Sequence, residues 1–169
     1  MRRPRFQSRP FLRNLKKRNT TLDIKSFISK VSEKDIILDY SQLRIACFHF
    51  LLKALPRGST VATSCYTIFD MVNIIISAGH KPFFVDIDMQ NLGPNISELV
   101  KLVESKSVNA VIYTHLHGYK ADLKILSETC KENNCILIED CAQSLWNITW
   151  DLKNNFVPGK YGDASLYSS

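Results

Sequence analysis

Four apolar residues in a row, Cys135-Ile136-Leu137-Ile138, run directly into Glu139-Asp140 and then into Cys141-Ala142-Gln143. With the polar Glu132-Asn133-Asn134 before it, this stretch has the pattern of a β-strand covered on both faces. A strand with one wet face alternates apolar and polar residues, and this one does not. Such strands belong to parallel sheets flanked by helices, whose ligands bind off the carboxyl ends of the strands. Asp140 is therefore expected at a ligand-facing strand end. Taken alone, a Glu-Asp pair after a strand also serves to cap the next turn, and both readings stand at this point.

The same rhythm runs through most of the chain. Leu43 to Leu55 is apolar around nearly its whole circumference, with a narrow polar stripe at Arg44, His49 and Lys53; this predicts a largely buried helix, ended by Pro56-Arg57-Gly58. A β-branched strand over Thr60 to Ser64, a helix over Thr67 to Ala78 stopped by Gly79, and a strand over Pro82 to Asp86 come next. Asn95 or Ser97 caps a helix reaching about Ser105. Asn109 to Tyr113 is a third strand, ending in Thr114-His115-Leu116-His117-Gly118, and Ala121 to Glu132 is helical. Beyond Gln143 the pattern fades through Trp146 and Trp150, then returns as a strand from Ala164 to Ser168. Short apolar strands alternating with helices predict an α/β fold: a largely parallel sheet, helices on its faces, right-handed crossovers. Ser64, Asp86, His115 and Asp140 close successive strands, so one shared crevice would gather them, although each can also cap the helix that comes after it. The last strand has neither cap nor tail behind it, and the chain is read as a truncated piece of a longer protein.

Length and charge bound the rest. At 169 residues with 45% hydrophobic content, one domain with a buried core is expected. The formal charge of +6 is unevenly spread: Arg2, Arg3, Arg5, Arg9, Arg13, Lys16, Lys17 and Arg18 all precede the first acid, Asp23. From Asp23 onward the chain carries a slight acidic excess. Residues 1–22 therefore read as a basic, disordered extension and residues 23–169 as the folded part, without the basic groove that would make nucleic acid the expected partner. The five cysteines show no Cys-x-x-Cys spacing, which argues against a zinc site or a disulfide framework and for reduced, mostly buried thiols. No apolar run approaches the roughly 20 residues of a membrane helix. The Arg-rich start also lacks the apolar segment of a secretory signal, so the cytoplasm is the expected compartment.

Four segments occur together in a telling order: Gly79-His80-Lys81-Pro82-Phe83-Phe84-Val85-Asp86-Ile87-Asp88, Thr114-His115-Leu116-His117-Gly118, Ile138-Glu139-Asp140-Cys141-Ala142-Gln143 and Gly162-Asp163-Ala164-Ser165-Leu166-Tyr167-Ser168. Over residues 38–169 they resemble the DegT/StrS family of PLP-dependent sugar aminotransferases. The resemblance implies the N-terminal portion of a fold-type I large domain, with pyridoxal 5′-phosphate as cofactor. Asp140 matches the carboxylate that keeps the cofactor's pyridine nitrogen protonated, the charged form that a nearby carboxylate favours. Gln143, three residues on, would reach the phenolic oxygen if the backbone curls. Ser168 matches a serine on the cofactor phosphate, and His115 matches the family's strand-end histidine.

Where the family has S-G-T, this chain has Ser41-Gln42-Leu43-Arg44. No glycine allows the closest backbone approach, which leaves Ser41 and Arg44 as candidate phosphate contacts. Where many members have a T-F or T-W pair whose ring stacks on the cofactor, this chain has Thr67-Ile68. Tyr66 or Phe69 is the substitute at hand, and each also reads as an ordinary core aromatic. The family's Schiff-base lysine is absent from the chain, because it would lie about five residues beyond Ser168, and Lys160 sits in the loop before that serine. The implied whole protein moves an amino group from an amino acid, usually glutamate, to a nucleotide-linked keto sugar in amino-sugar or surface-polysaccharide synthesis. It would do so as a homodimer, and the chain alone would be inactive. Three other readings stay open. One is a sugar dehydrase of the same family, with histidine in place of the lysine. Another is a non-catalytic α/β binding module whose basic arm meets nucleic acid or an anionic surface, and the third is a degenerate remnant.

Overall fold

The computed structural model describes residues 26, 28–29, 32–119, 121–144 and 157–168. The basic extension, Trp146 and Trp150 lie outside these. The elements are α1 (Leu43–Ala54), β1 (Thr60–Ser64), α2 (Phe69–Ser77), β2 (Lys81–Val85), α3 (Ile96–Glu104), β3 (Ala110–Thr114), a 3-10 turn (Leu116–Gly118), α4 (Lys124–Glu132), β4 (Ile136–Asp140) and β5 (Ala164–Leu166). All described strands pair in parallel, in the order β2-β1-β3-β4-β5. The expected α/β architecture is what is found.

Because successive strand residues face opposite ways, each central strand feeds two cores. Val61, Ala110, Ile112 and Ile138 pack with Cys47 and Leu51 of α1 and with Met71, Ile74 and Ile75 of α2. Ala62, Val111, Tyr113 and Leu137 pack on the other face with Leu99 and Val103 of α3 and with Leu126 and Cys130 of α4. The chain steps outward from β1 to β2 through α2, then returns past β1 to β3 and on to β4 through α3 and α4. Helices serving opposite directions lie on opposite faces, as a single crossover handedness requires. The order reverses between β1 and β3, which makes their carboxyl ends the natural crevice.

Local chemistry sets the boundaries. Asn95 caps α3 by accepting from Glu98 N at 3.1 Å. Asp122 Oδ1 takes Lys124 N at 3.0 Å, so α4 opens three residues later than its apolar pattern predicts. Ser64 Oγ accepts from Tyr66 N at 3.0 Å, holding the chain in a bend and delaying α2 to Phe69. Gly79, at φ +84°, ends α2 in the left-handed conformation that glycine adopts at least cost.

One expectation is corrected. The helix α1 is apolar all round, yet only Cys47 and Leu51 are fully buried, and Ile45 and Leu52 are 39% and 49% exposed. Its outer residues stay partly in solvent, so circumference predicts burial only when a second layer is present. The edge strand β2 similarly leaves Phe83 and Phe84 half in solvent.

The two-core arrangement makes adjacent residues of α2 unequal. Ile75 has no exposed surface and Ile76 is 55% exposed. Ile75→Ala is expected to cost about 2–5 kcal/mol by transfer and cavity formation, and Ile76→Ala about 0.5 kcal/mol or less. Urea unfolding of both variants checks this, and equal losses would contradict the assignment of the inner face.

Candidate functional site

His80 Nε2 faces Leu51 O at 3.1 Å, and a nitrogen facing a carbonyl must donate. His80 immediately precedes β2, so the C-terminal end of α1 lies at the amino edge of the sheet. A helix of 12 residues spans roughly 18 Å, about the length of the strands, and its N-terminus therefore reaches the carboxyl edge. Arg44 in the first turn of α1 pairs with Asp70 in the first turn of α2, which puts both helix starts at that edge. The ends of β1, β3 and β4 open toward the same place.

Register decides what meets there. Tyr113 lies opposite Glu139 and Thr114 opposite Asp140. Asp140 shares a face with Ile138 and α1; its charge is one reason, after burial, that the Cys47 thiol is pushed up to about 12. Asp140 is 6% exposed. It accepts from Ala142 N at 3.1 Å and from Thr114 Oγ1 at 3.4 Å. Burial raises its carboxyl above the usual range, and those two hydrogen bonds and the charge of His115 only partly oppose the rise. The bond from Ala142 is a turn cap, so the capping reading of this residue describes one of its two oxygens.

Glu139 points the other way and has no exposed surface. His115 Nε2 lies 2.7 Å from Oε2, which also accepts from Gly159 N at 2.8 Å; Oε1 accepts from Tyr161 N at 2.7 Å and Gly162 N at 2.6 Å. Burial pushes this carboxyl up, but the bond and charge of His115 and the amides of Gly159 and Gly162 outweigh it and hold it below the usual range. His115 is fixed further: its N–H donates to Asp140 O at 3.0 Å, its carbonyl accepts from Ser144 Oγ at 3.1 Å, and its ring meets Tyr113 edge-on at 5.2 Å. Ligand atoms of His115, Glu139 and Cys141 lie within 4.8 Å of one another. Each oxygen of Glu139 already carries two donors, so the cluster is spent on hydrogen bonds.

The other expected residues gather less tightly. Gln143 is exposed, and its Oε1 accepts from His117 N at 2.8 Å, bracing the left-handed turn at His117 (φ +53°) and leaving its amide NH2, among the described residues, as a free donor group. Ser168 is exposed two residues beyond Leu166, the residue paired with Asp140 on β5. Ser41 is exposed beside Gln42, which caps α1 without a side-chain hydrogen bond. Arg44 is committed to Asp70 on the surface. Tyr66 and Phe69 stay out of the core at 55% and 77% exposure, so the core-aromatic alternative is set aside for both. Sequence reasoning missed Glu139, Thr114 and the loop at Gly159–Gly162. The available signal was the Gly-x-x-Gly spacing ahead of Asp163, whose Oδ2 accepts from Leu137 N at 2.8 Å.

A sequence model of the DegT/DnrJ/EryC1/StrS aminotransferase family matches residues 46–168. The chain is 29% identical over 122 residues to GDP-perosamine synthase of Vibrio cholerae and 31% identical over 122 residues to that of Escherichia coli O157:H7; each match covers 71% of this chain and 32% of the relative. The chain thus spans about a third of the length of the curated relatives it matches. Among solved structures, it superposes on E. coli GDP-4-keto-6-deoxy-D-mannose-3-dehydratase with bound hydrated PLP, at a TM-score of 0.62 and 19% identity over 70% of this chain and 32% of that one.

The raised carboxyl of Asp140 has a signed consequence. A group whose folded pKa lies above its ordinary value, here 3.8, favours the fold below that value and disfavours it once pH passes the raised one. An asparagine can still accept from Ala142 N and donate to Thr114 Oγ1. Asp140→Asn is therefore expected to melt at or above the wild-type temperature at pH 7, with the difference shrinking toward pH 4. A lower melting temperature at pH 7 would mean that the charge stabilises the fold.

Proposed function

The chain belongs to the DegT/DnrJ/EryC1/StrS aminotransferase family, and on that premise we propose that it forms the Asp140 side of a pyridoxal 5′-phosphate site. The reaction we assign is transfer of an amino group from an amino acid, glutamate for preference, to a nucleotide-linked keto sugar. The observation that carries this reading is Asp140 itself: a carboxylate 6% exposed, at a strand end, with one hydroxyl and one backbone N–H as hydrogen-bond donors. Such a group is costly unless a cationic or strongly donating partner arrives, and a protonated pyridine nitrogen is such a partner. The residues fit the group at this end.

When bound, pyridoxal phosphate supplies the electron sink for the carbanion left when a substrate carbon loses its proton. The chain's own part is positional. Asp140 would hold the proton on the ring nitrogen, and Thr114 and Ala142 fix its two oxygens. The free NH2 of Gln143 would donate to the phenolic oxygen, and His115 lines the same strand end. Ser168, Ser41 and the first-turn amides of α1 are our candidates for the phosphate, and the exposed ring of Tyr66 for stacking. The covalent lysine is assigned outside these residues, and Lys160 has another role, being exposed and 2.7 Å from Glu33.

A nucleotide-linked substrate is supported by relatives named for GDP-perosamine, a nucleotide-linked amino sugar. That name favours amino transfer over the dehydrase alternative. A second copy of the chain remains the partner we assign for completing the site.

The test is a titration of pyridoxal phosphate into the chain, monitored by difference absorbance, for wild type and Asp140→Asn. A charge-assisted hydrogen bond lost from a buried site is expected to weaken binding by about tenfold or more. Equal affinity in the variant would remove Asp140 from its assigned place. A borohydride-reducible adduct at one lysine of this chain would overturn the assignment of the nucleophile outside it.

A further inference from the structure

Glu139 makes four hydrogen bonds through two oxygens, and its partners come from two separate places. Gly159, Tyr161 and Gly162 belong to the loop that leads into β5, whereas His115 closes β3. A carboxylate accepts at both ends of its fork and donates at neither, which is what this arrangement demands. A glutamine would turn an NH2 toward two donors. Since Glu139 is held in its ionised form, the hydrogen between it and His115 sits on Nε2.

The loop is gripped from its other sides as well. Lys34 Nζ donates to Gly162 O and to Lys160 O, the latter at 3.4 Å, and Ser127 Oγ donates to Tyr161 O at 2.8 Å. A side chain at Gly162 would bring its Cβ to 2.7 Å from Ala164 O and 3.0 Å from Leu137 O, so the glycine is what allows this close approach. The loop's N–H groups thus face a carboxylate, while two of its carbonyls face an ammonium.

We propose that Glu139 is a positioning residue of the crevice, acting through His115 and through the 158–163 loop to set where β3 and β5 present their ends on either side of Asp140. This rests on the reading of the crevice as a cofactor site. Stability alone does not call for such a group, because a buried charge network can often be replaced by packed apolar residues without loss. What an apolar residue could not do is bind a ring nitrogen from one strand and three amides from another segment at once. Backbone bonds complete the link to β4: His115 N donates to Asp140 O, and Cys141 N donates to Leu166 O at 2.8 Å.

The experiment uses the 169-residue chain and the variants Glu139→Gln, Glu139→Asp and Lys34→Met. Three quantities are read: hydrogen exchange at the amides of Gly159, Tyr161 and Gly162, the His115 Nε2–H proton resonance, and the dissociation constant for pyridoxal phosphate. In Glu139→Gln the amides are expected to exchange about tenfold faster or more, the protected His115 resonance to vanish, and pyridoxal phosphate binding to weaken about tenfold, with the far-ultraviolet spectrum unchanged. Glu139→Asp, which keeps the charge, should restore the resonance and most of the affinity. Lys34→Met should speed exchange in the loop but leave the resonance and the affinity in place, as loosening alone would.

If Glu139→Gln opens the loop while the His115 resonance and the affinity stay as in wild type, Glu139 is structural only and the proposal fails. Should Glu139→Gln not fold, Glu139→Asp decides. With the charge kept, the His115 resonance and most of the affinity are expected to survive together, and loss of either one without the other overturns the coupling. A wild-type chain without affinity for pyridoxal phosphate would sink the cofactor reading instead, and the resonance and amide exchange would still decide whether Glu139 positions His115.

Discussion

Parallel pairing of β3 with β4 sets Tyr113 opposite Glu139 and Thr114 opposite Asp140, and the surroundings of both carboxylates depend on that register. Side chains alternate faces along a strand, so a slip of one residue would exchange the surroundings of the two carboxylates. Asp140 would then lose Thr114, and Glu139 would lose His115. The register is held by apolar residues below the site. Val111, Ile112, Leu137 and Ile138 are all within 1% of complete burial and are split between the two cores. The hydrophobic pattern of the strands is therefore also what orders the chemistry at their ends.

The same register explains why neighbouring carboxylates, both buried, move in opposite directions. Burial raises both, as it must for a group that is charged when ionised. The difference lies in the donors. Glu139 faces His115 and three backbone amides. Asp140 has one amide and one hydroxyl at 3.4 Å. Glu139 is satisfied by the protein alone, and Asp140 is left with unmet acceptor capacity at the open end of the sheet. A buried acid that the fold does not satisfy costs stability, and such residues collect where a ligand supplies the missing partner.

Much of this was legible in the sequence because it rests on side-chain type. Runs such as Ala110–Tyr113 and Cys135–Ile138 read as strands covered on both faces, and parallel pairing carries the polar residues that follow them to one edge. Burial of α1 was misread because apolar content records what a helix could cover, not whether a covering layer is present. The grip of Glu139 was illegible for a different reason. Three of its four partners are backbone N–H groups, which every residue but proline carries, and only the glycines at 159 and 162 hint that a backbone must come close. The pairing of Arg44 with Asp70 spans two helices and depends on how they dock, which no local pattern encodes.

The two ends of the crevice are unequally prepared. At the β4 end, Asp140 is held by Thr114 and Ala142, with Glu139 and His115 locked behind it. At the helix end, α1 begins at Gln42 with no capping side chain and no acid in its first turn, and its basic residue is turned toward Asp70. Both partners of that pair are about half exposed, with side-chain accessibilities of 51% and 44%, and exposed pairs of this kind are worth about 0–1 kcal/mol. An anion arriving at the uncapped amides would gain the positive end of the helix and could draw Arg44 away from Asp70 at small cost. On the proposed cofactor reading, the missing glycine removes close backbone approach and leaves Arg44 as the candidate side-chain contact for a phosphate.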